Sequence, residues 1–341
     1  MYKLIYLFRR PGTLYFSIER LFRKISAQLA ENYFSEFQVE NKKLPFASKP
    51  FSILANISFM RKNQGDVNHI TGDAHYAILG CGNKRLNILT IHDCVLLHQY
   101  PAGGIKHKVL KKFWYDLPIK KADAVTVISE NTKNEILGFV HCDPEKIRVI
   151  PNFVDPVFKP STSAFNTHCP RLLFIGTTIN KNLDRFIAAI QGLEVELEIV
   201  GNLTDEQKKA LLDAGISYRQ SSGLSENELM EKYRDCDIVV FPSTYEGFGL
   251  PVLEGQASGR VVLTSDCSPM REVAGGGACL VDPLNIASMH NGLVRIINDP
   301  AYRDELIKKG FDNIRHYQLD TITDQYVSLY RELMLKKSIP G

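Results

Sequence analysis

The feature that most constrains the fold of this 341-residue chain is a regular alternation of short apolar segments with amphipathic ones. The apolar segments are six to eight residues long, a length typical of buried strands, and the segments between them have helical spacing. Strands that alternate with helices over such a length form parallel sheets with helices on both faces. The alternation therefore predicts an α/β protein built from doubly wound parallel sheets.

The alternation occurs twice, on either side of a loop rich in proline. Residues 151–170 contain four prolines and little periodicity, which favours a domain boundary there. We predict an N-terminal domain over residues 1–165 and a C-terminal domain over residues 166–317. Strands of the first domain are predicted in KLIYLF (3–8), DVNHIT (66–71), LNILTIHD (86–93), AVTVIS (124–129) and KIRVIP (146–151). Strands of the second are predicted in RLLFIG (171–176), VELEIVG (195–201), DIVVFPS (237–243), VVLTSD (261–266) and ACLVDP (278–283).

The composition is that of an ordinary globular protein and argues against several classes. A net charge of +3 gives no support to nucleic-acid binding, so we expect no nucleic-acid partner. The seven cysteines are odd in number and include no CxxC pair, which argues against a disulfide framework or zinc site. The chain has no run of about 18 apolar residues and does not open with a secretory signal. We therefore expect a cytoplasmic protein without a metal site.

The most informative motif is FPSTYEGFGLPVLEGQASG, residues 241–259, which begins in a predicted strand and continues into a predicted helix. Gly247 and Gly249 allow the backbone to approach a ligand closely, and Leu250 starts the helix. The N–H groups at a helix start form a site for anions. The motif therefore predicts a site for the phosphate groups of a ligand.

Two carboxylates flank that helix start. Glu246 precedes the helix and Glu254 lies about one turn into it. A carboxylate is a good acceptor for a pair of neighbouring hydroxyls, so the arrangement suits a sugar nucleotide, with phosphates on amides and hydroxyls on carboxylates. The plainer alternative is a capped helix with a surface glutamate.

A second loop, GTTINKN, follows the predicted strand RLLFIG. Gly176 and Thr177 form the turn, and Lys181 precedes a helix, which again suits a phosphate. Gly201 ends the next strand at the same edge of the sheet. By itself this pattern is weak, because a lysine after a turn is usually solvated.

The first domain offers weaker candidates. His92 ends a predicted strand, where it either faces a ligand or is buried and bonded to backbone. His69 is a weaker version of the same signal. Ser129 and Glu130 precede a helix, where they either contact an acceptor or cap the helix. Gly12 is the single glycine in the loop after the first strand.

These motifs together resemble glycosyltransferase family 4, whose members have the GT-B fold. The resemblance is dense over residues 170–300 and looser before, and the glutamate pair matches the family signature Glu-x7-Glu. It implies two Rossmann-like domains that face each other across a cleft. It also implies that the C-terminal helix, about residues 318–341, packs back on the first domain.

The resemblance also implies roles for the site residues. Glu254 would bind the ribose hydroxyls, Glu246 would face the donor sugar, and Lys181 would neutralise the diphosphate. His92 would contact the donor sugar near the reacting carbon. The amides of Phe248, Gly249 and Leu250 would hold sugar hydroxyls and diphosphate. Many members carry an arginine where this chain has Thr177.

The function implied is a retaining transfer of a hexose from a nucleotide sugar to a glycan or lipid-linked acceptor, in bacterial surface polysaccharide or glycolipid synthesis. GDP-mannose is favoured over UDP-sugars as the donor, and neither a metal nor another cofactor is implied. Two alternatives remain, a catalytically silent sugar-nucleotide-binding partner in an assembly complex and a glycoside hydrolase. A dehydrogenase is disfavoured because Arg85 stands where the third glycine of the dinucleotide fingerprint begun by Gly80 would be.

Basic residues concentrate in the first domain. They form either a solvated face or a surface for peripheral contact with an anionic membrane on the cytoplasmic side. They are Lys106, Lys108, Lys111, Lys112, Lys120 and Lys121 around Trp114, with a second group at Arg9, Arg10, Arg20, Arg23 and Lys24.

Overall fold

The computed structural model describes residues 1–10, 17–98, 100, 101 and 104–337, which divide into two compact units. The first unit comprises Met1–Phe153 with Leu319–Gly341, and the second comprises Val154–Gln318. The division falls before residue 165 because most of the proline-rich loop, from Val154 onward, belongs to the second unit. There the amide of Val154 donates to the carbonyl of Tyr317 (2.8 Å).

The described residues alternate between strands and helices as the sequence pattern predicts. The strands are β1 (Tyr2–Phe8), β2 (Phe37–Lys43), β3 (Val67–Ile70), β4 (Leu86–Ile91), β5 (Ala124–Val127), β6 (Ile147–Val149), β7 (Arg171–Ile175), β8 (Glu196–Val200), β9 (Ser217–Ser221), β10 (Ile238–Phe241), β11 (Val261–Ser265) and β12 (Cys279–Val281). The α-helices are α1 (Ser17–Asn32), α2 (Ile53–Lys62), α3 (Val95–His98), α4 (Ile105–Leu110), α5 (Leu117–Lys121), α6 (Glu130–Phe139), α7 (Leu183–Ile190), α8 (Asp205–Asp213), α9 (Glu226–Asp235), α10 (Leu250–Ala257), α11 (Met270–Ala274), α12 (Ile286–Asn298), α13 (Pro300–Asn313) and α14 (Leu319–Lys337).

Each unit contains one parallel sheet, so the predicted doubly wound α/β architecture is confirmed. The strand order is β2-β1-β3-β4-β5-β6 in the first unit and β12-β11-β10-β7-β8-β9 in the second. The connections change direction between β1 and β3 in one sheet and between β7 and β10 in the other. Open sheets of this type bind ligands beyond the carboxyl ends of the strands at such a switch point. The motifs GTTINKN and YEGFG follow β7 and β10 directly.

Strand β2 was not predicted from the sequence. It pairs only with β1, at the edge of the first sheet, and its sequence FQVENKK is mostly polar. An edge strand with solvent beside it does not need the apolar run of a central strand, and charged residues on such an edge discourage pairing with other chains. The apolar signal that revealed the central strands is therefore missing here, and it is equally missing from β9 (SYRQS) at an edge of the second sheet.

The C-terminal helix α14 belongs to the first unit, where it packs on α1. Its Tyr330 hydroxyl lies 2.8 Å from the hydroxyl of Tyr6 on β1 and 2.6 Å from Nδ1 of His69 on β3. Nε2 of His69 lies 2.6 Å from Thr90 Oγ1, so both ring nitrogens have partners inside the protein. His69 is thus a structural residue that joins helix to sheet, and burial lowers its pKa to about 3.

Candidate active site

The loops that follow β7 and β10 are joined by an ion pair at the switch point of the second sheet. Lys181 Nζ donates to Glu246 Oε1 at 2.6 Å, and both side chains are largely but not fully buried. Asn180 Nδ2 donates to the same carboxylate oxygen (3.2 Å) and to the carbonyl of Tyr245 (3.0 Å). The amide of Thr244 donates to the carbonyl of Asn180 (2.8 Å). Two loops that are far apart in sequence therefore form one polar surface.

Lys181 is held in a defined position by its surroundings. Its ammonium lies 4.5 Å from the centroid of the Phe241 ring, within the range of a cation–π interaction. Gly176 has φ +86°, and a Cβ there would come within 2.8 Å of Lys181 Cε. Glycine at position 176 therefore serves two purposes: it permits the left-handed backbone and it leaves room for the lysine stem.

Thr177 stands where the family resemblance led us to look for an arginine. Its hydroxyl donates to the carbonyl of Asn202 (2.6 Å), and its own carbonyl accepts from Gln207 Nε2 (3.1 Å). A Cβ at Gly201 would meet Thr177 Cγ2 at 2.8 Å, so the two turns after β7 and β8 pack closely. Thr177 thus ties the two turns together and brings no positive charge to the site.

Helix α10 begins at the turn after β10, as the motif predicts. Gly249 adopts φ +109° and ψ 45° immediately before Leu250, and Pro251 lies in the first turn. The first amides of a helix have no carbonyl partners within it, and the helix dipole adds partial positive charge at this end. Phe248 is buried with its ring 6.0 Å from that of Tyr317, which fixes the turn before the helix. Gly247 precedes it in the same turn.

Glu254 lies in α10, one turn after the helix start, and is buried. The hydroxyl of Tyr233 on α9 donates to its Oε2 (2.6 Å). The ring of Tyr233 packs edge-on against Phe158, with centroids 5.1 Å apart. The surface-glutamate alternative is therefore wrong for Glu254, since this carboxylate is fixed from inside the protein.

Three site residues were missed by the sequence analysis, namely Asn180, Asn182 and Tyr233. Asn182 is buried with φ 68°, is the N-cap of α7, and donates from Nδ2 to the carbonyls of Pro242 (3.1 Å) and Pro283 (2.6 Å). The signal for the asparagines was present in GTTINKN, because asparagine tolerates the left-handed region and bonds to nearby backbone. Nothing in the local sequence singles out Tyr233.

In the first unit, His92 follows β4 and is buried beside Phe22, with ring centroids 5.8 Å apart. Burial, reinforced by His75 and Arg9, lowers the pKa of His92 to about 3, so the imidazole is neutral near pH 7. Within the described part of the chain, its buried Nε2 has no hydrogen-bond partner. A neutral ring with one unused polar atom can exchange a hydrogen bond with a ligand hydroxyl but cannot supply positive charge.

The two remaining candidates of the first unit lie at the start of α6. Ser129 is the N-cap, and its hydroxyl accepts from the amide of Thr132 (3.1 Å). Glu130 is exposed in the first turn, where its charge suits the helix dipole. The capping role left open by the sequence is thus the one present in the structure. Gly12 lies outside the described residues.

Metal-binding clusters and membrane-spanning helices are both missing from the residues that the structure describes. Across residues 1–10, 17–98, 100, 101 and 104–337, no cluster of three or more His, Cys, Asp or Glu side chains is arranged to hold a metal ion. In the same ranges, no helix combines the length and apolar character needed to cross a membrane.

Two family models match adjoining parts of the chain. The family described as "Glycosyl transferases group 1" matches residues 159–312, and "Glycosyltransferase Family 4" matches residues 32–158. The chain is 27% identical over 250 residues to the MMP alpha-(1->4)-mannosyltransferase of Mycolicibacterium hassiacum, a match that covers 68% of this chain and 60% of the relative. It is 28% identical over 261 residues to the O-antigen chain mannosyltransferase RfbU of Salmonella typhimurium, covering 69% of this chain and 72% of the relative.

Solved structures agree with the fold over the whole chain. Sucrose-phosphate synthase from Thermosynechococcus elongatus superimposes with a TM-score of 0.76 at 17% identity, covering 98% of this chain and 99% of that one. Anabaena Alr3699/HepE, in complex with UDP-glucose, superimposes with a TM-score of 0.74 at 15% identity, covering 97% of this chain and 100% of that one. Both likenesses concern the fold alone. The adjoining family matches, the GT-B architecture and the motifs after β7 and β10 agree: this chain is a glycosyltransferase of family 4.

Proposed function

We propose that the enzyme transfers a hexose, with retention of configuration, from a nucleotide sugar to a glycan or lipid-linked acceptor in the assembly of a bacterial surface polysaccharide or glycolipid. The observation that carries the donor assignment is the Lys181–Glu246 pair at the switch point of the second sheet, next to the start of α10. A lysine and a helix start supply positive charge, and the glutamate accepts hydroxyl groups.

The donor binds in three parts under this proposal. Its diphosphate lies on the first amides of α10 and attracts Lys181 away from Glu246. The carboxylate of Glu246, freed from the lysine, accepts hydrogen bonds from the sugar hydroxyls. Glu254, held by Tyr233 through Oε2, accepts the ribose hydroxyls.

The reaction is a substitution at the anomeric carbon. The acceptor oxygen forms a bond to the anomeric carbon while the bond between that carbon and the phosphate oxygen breaks, and a nucleoside diphosphate leaves. The acceptor proton passes to a phosphate oxygen on the same face of the sugar. Lys181 and the α10 amides stabilise the charge that develops on the diphosphate, and charge stabilisation of this kind is usually the largest contribution to catalysis. The proposal therefore requires no metal ion and no other cofactor.

GDP-mannose is the favoured donor, and mannose is then the sugar that is transferred. Support comes from the relatives, two of which are named as mannosyltransferases of O-antigen chains and one as an alpha-(1->4)-mannosyltransferase. The structural neighbour that binds UDP-glucose shares the fold at only 15% identity, so it weighs little against that assignment.

The thermal midpoint of unfolding with excess GDP, UDP or ADP tests the donor site. A ligand at one hundred times its dissociation constant adds about 2.7 kcal/mol to the free energy of unfolding. We expect a shift with GDP that exceeds the shift with UDP or ADP. Lys181→Ala should abolish the shift, whereas Lys208→Ala, on exposed α8 of the same unit, should retain it. Absence of a shift with all three nucleotides would contradict the donor site, and a shift with UDP alone would contradict the choice of base.

We also propose a cytoplasmic enzyme that touches the membrane carrying its acceptor through the basic face of the first unit. The support is the concentration of lysine around Trp114, which suits anionic lipid headgroups.

A further inference from the structure

A stripe of exposed apolar side chains runs along α4 and the π-helical segment Lys111–Asp116 that continues it. Ile105, Val109 and Phe113 are four residues apart, which places them on one face of a helix. Their exposed fractions are 83%, 52% and 42%. Large apolar side chains scattered singly are common on surfaces, but three in line on one helix form a continuous apolar stripe.

The opposite face of the same helical segment is anchored in the core of the first unit. Trp114 Nε1 donates to Asp73 Oδ1 (2.7 Å), and its ring centroid lies 5.0 Å from that of Tyr76. Tyr115 is buried with its ring 5.3 Å from that of Phe139. Because the inner residues are fixed in this way, the outward direction of the stripe is a property of the packed structure.

Within residues 104–115, the charged side chains beside the stripe are all lysines. Residues 104–115 contain no aspartate or glutamate. Lys106, Lys108 and Lys112 are exposed next to the three apolar residues. Lys111 is paired with Asp116 at 2.8 Å, at the end of the segment.

A second exposed apolar pair is linked to the same part of the first unit. Phe51, just before α2, is 100% exposed, and Leu54, in its first turn, is 78% exposed. Asn56 on α2 donates from Nδ2 to the hydroxyl of Tyr76 (2.8 Å), the residue whose ring packs on Trp114. Lys49 lies just before this pair and is exposed as well.

We infer that Ile105, Val109 and Phe113 insert into the headgroup region of an anionic lipid bilayer while Lys106, Lys108 and Lys112 pair with its phosphates. Helices that lie in the membrane interface combine an apolar face with lysine or arginine beside it. A bilayer supplies both apolar depth and negative charge, and so complements every part of this face. A second copy of the chain would bring lysines against lysines, which repel. The inference rests on the membrane contact proposed above, for which it names the inserting residues, and it holds whether or not the proposed donor is correct.

Vesicle flotation of the full-length protein without any nucleotide tests the inference. We expect binding to vesicles of phosphatidylcholine with phosphatidylglycerol and little binding to phosphatidylcholine alone. Replacing Ile105, Val109 and Phe113 together by serine should lower the partition coefficient at least about tenfold, because the loss of apolar contact weakens interfacial binding. Replacing Lys106, Lys108 and Lys112 by glutamine should lower it about a hundredfold at low salt.

The matched control replaces three apolar residues outside the stripe, which as a set are more exposed than the stripe residues, by serine, namely Phe34, Leu212 and Leu335. This control should bind vesicles within about twofold of the wild type. Circular dichroism and the thermal midpoint of unfolding without nucleotide verify that each variant is folded. Binding that is equal for both vesicle compositions, absent in the wild type, or unchanged in the stripe variant would overturn the inference. So would a wild type that elutes as a dimer while the stripe variant elutes as a monomer, since the stripe would then be a protein interface.

Discussion

The carboxyl edges of the two sheets hold their polar groups in different ways. In the second unit, Lys181 and Glu246 pair at 2.6 Å near the surface. A charged ligand can therefore take the place of Glu246 as the partner of Lys181. In the first unit, His92 and His69 are buried among aromatic rings, and burial lowers the pKa of each to about 3. One edge therefore offers exchangeable charge, and the other offers neutral hydrogen bonding. The difference suits a donor site for diphosphate in the second unit and contact with uncharged hydroxyls in the first.

The largest effect expected from this comparison is that of Lys181→Ala. We expect the rate of nucleoside diphosphate release from the donor to fall about 10²–10³-fold, because one preorganised positive group is lost from the developing phosphate charge. Initial rates with GDP-mannose and a membrane-lipid extract as acceptor measure this. Lys208→Ala is the matched control and should keep the wild-type rate. A Lys181→Ala rate within threefold of the wild type would mean that the second edge does not hold the diphosphate.

The neutral histidines of the first unit make a prediction about pH. The folded-state pKa of His92 lies below its unfolded value of about 6.5, so its contribution to stability is present above pH 6.5 and lost as the pH falls towards 3. Between pH 6.5 and 5 this loss is of the order of 2 kcal/mol. Urea unfolding of the wild type and of His92→Gln at pH 7.5 and pH 5 measures the difference.

The His92→Gln variant should lose less stability on acidification than the wild type does. His168→Gln, at an exposed position of the second unit, should follow the wild type. Identical pH dependence in all three proteins would show that His92 is charged or solvated near neutral pH, and the comparison between the two edges would fail.

Gly176→Ala sharpens the comparison from the side of the second unit. A Cβ at this position would come within 2.8 Å of the Lys181 side chain. The alanine would also have to adopt φ +86°, which is strained for any residue other than glycine. Gly192 has a similar φ of +82°, but a Cβ there meets nothing within 4 Å. Both alanine variants should lose about 1 kcal/mol of unfolding free energy from the backbone conformation. Only Gly176→Ala should also weaken nucleotide binding, because its Cβ displaces Lys181. We expect the dissociation constant of the nucleotide to rise about tenfold. Calorimetric titration with GDP separates the two, and equal affinities would mean that the position of Lys181 does not matter.

The smallest effect expected is that of Tyr233→Phe. Removing the hydroxyl that donates to Glu254 Oε2 should lower the free energy of unfolding by about 1 kcal/mol. The substitution should also weaken the binding of a nucleoside diphosphate more than the binding of inorganic pyrophosphate, because only the nucleoside diphosphate carries the ribose assigned to Glu254. Tyr218→Phe, on edge strand β9, is the control. Equal losses for both ligands would remove Glu254 from the ribose site.

Much of the fold could be read from the sequence because central strands of a parallel sheet are buried on both faces. Such strands are short and almost wholly apolar, as RLLFI and IVVF show, and the pattern survives without knowledge of any neighbour. Strand β2 did not follow this rule, because one of its sides faces solvent and its polar residues are tolerated there. The sequence placed a domain boundary in the loop 151–170, and the two compact units divide between Phe153 and Val154, a position that depends on which unit each loop residue contacts.

For the candidate site, the sequence by itself determined which loops bear the chemistry. Glycine turns, a lysine and two glutamates directly after strands are local features, and they predicted Gly176, Lys181, Glu246, Gly249 and Glu254 as a group. Only the tertiary structure decided how these residues meet. Lys181 and Glu246 are 65 positions apart and touch because β7 and β10 are neighbours in the sheet. Glu254 is buried and bonded to Tyr233, 21 positions away on α9, and such a contact between two helices has no signature in either local segment.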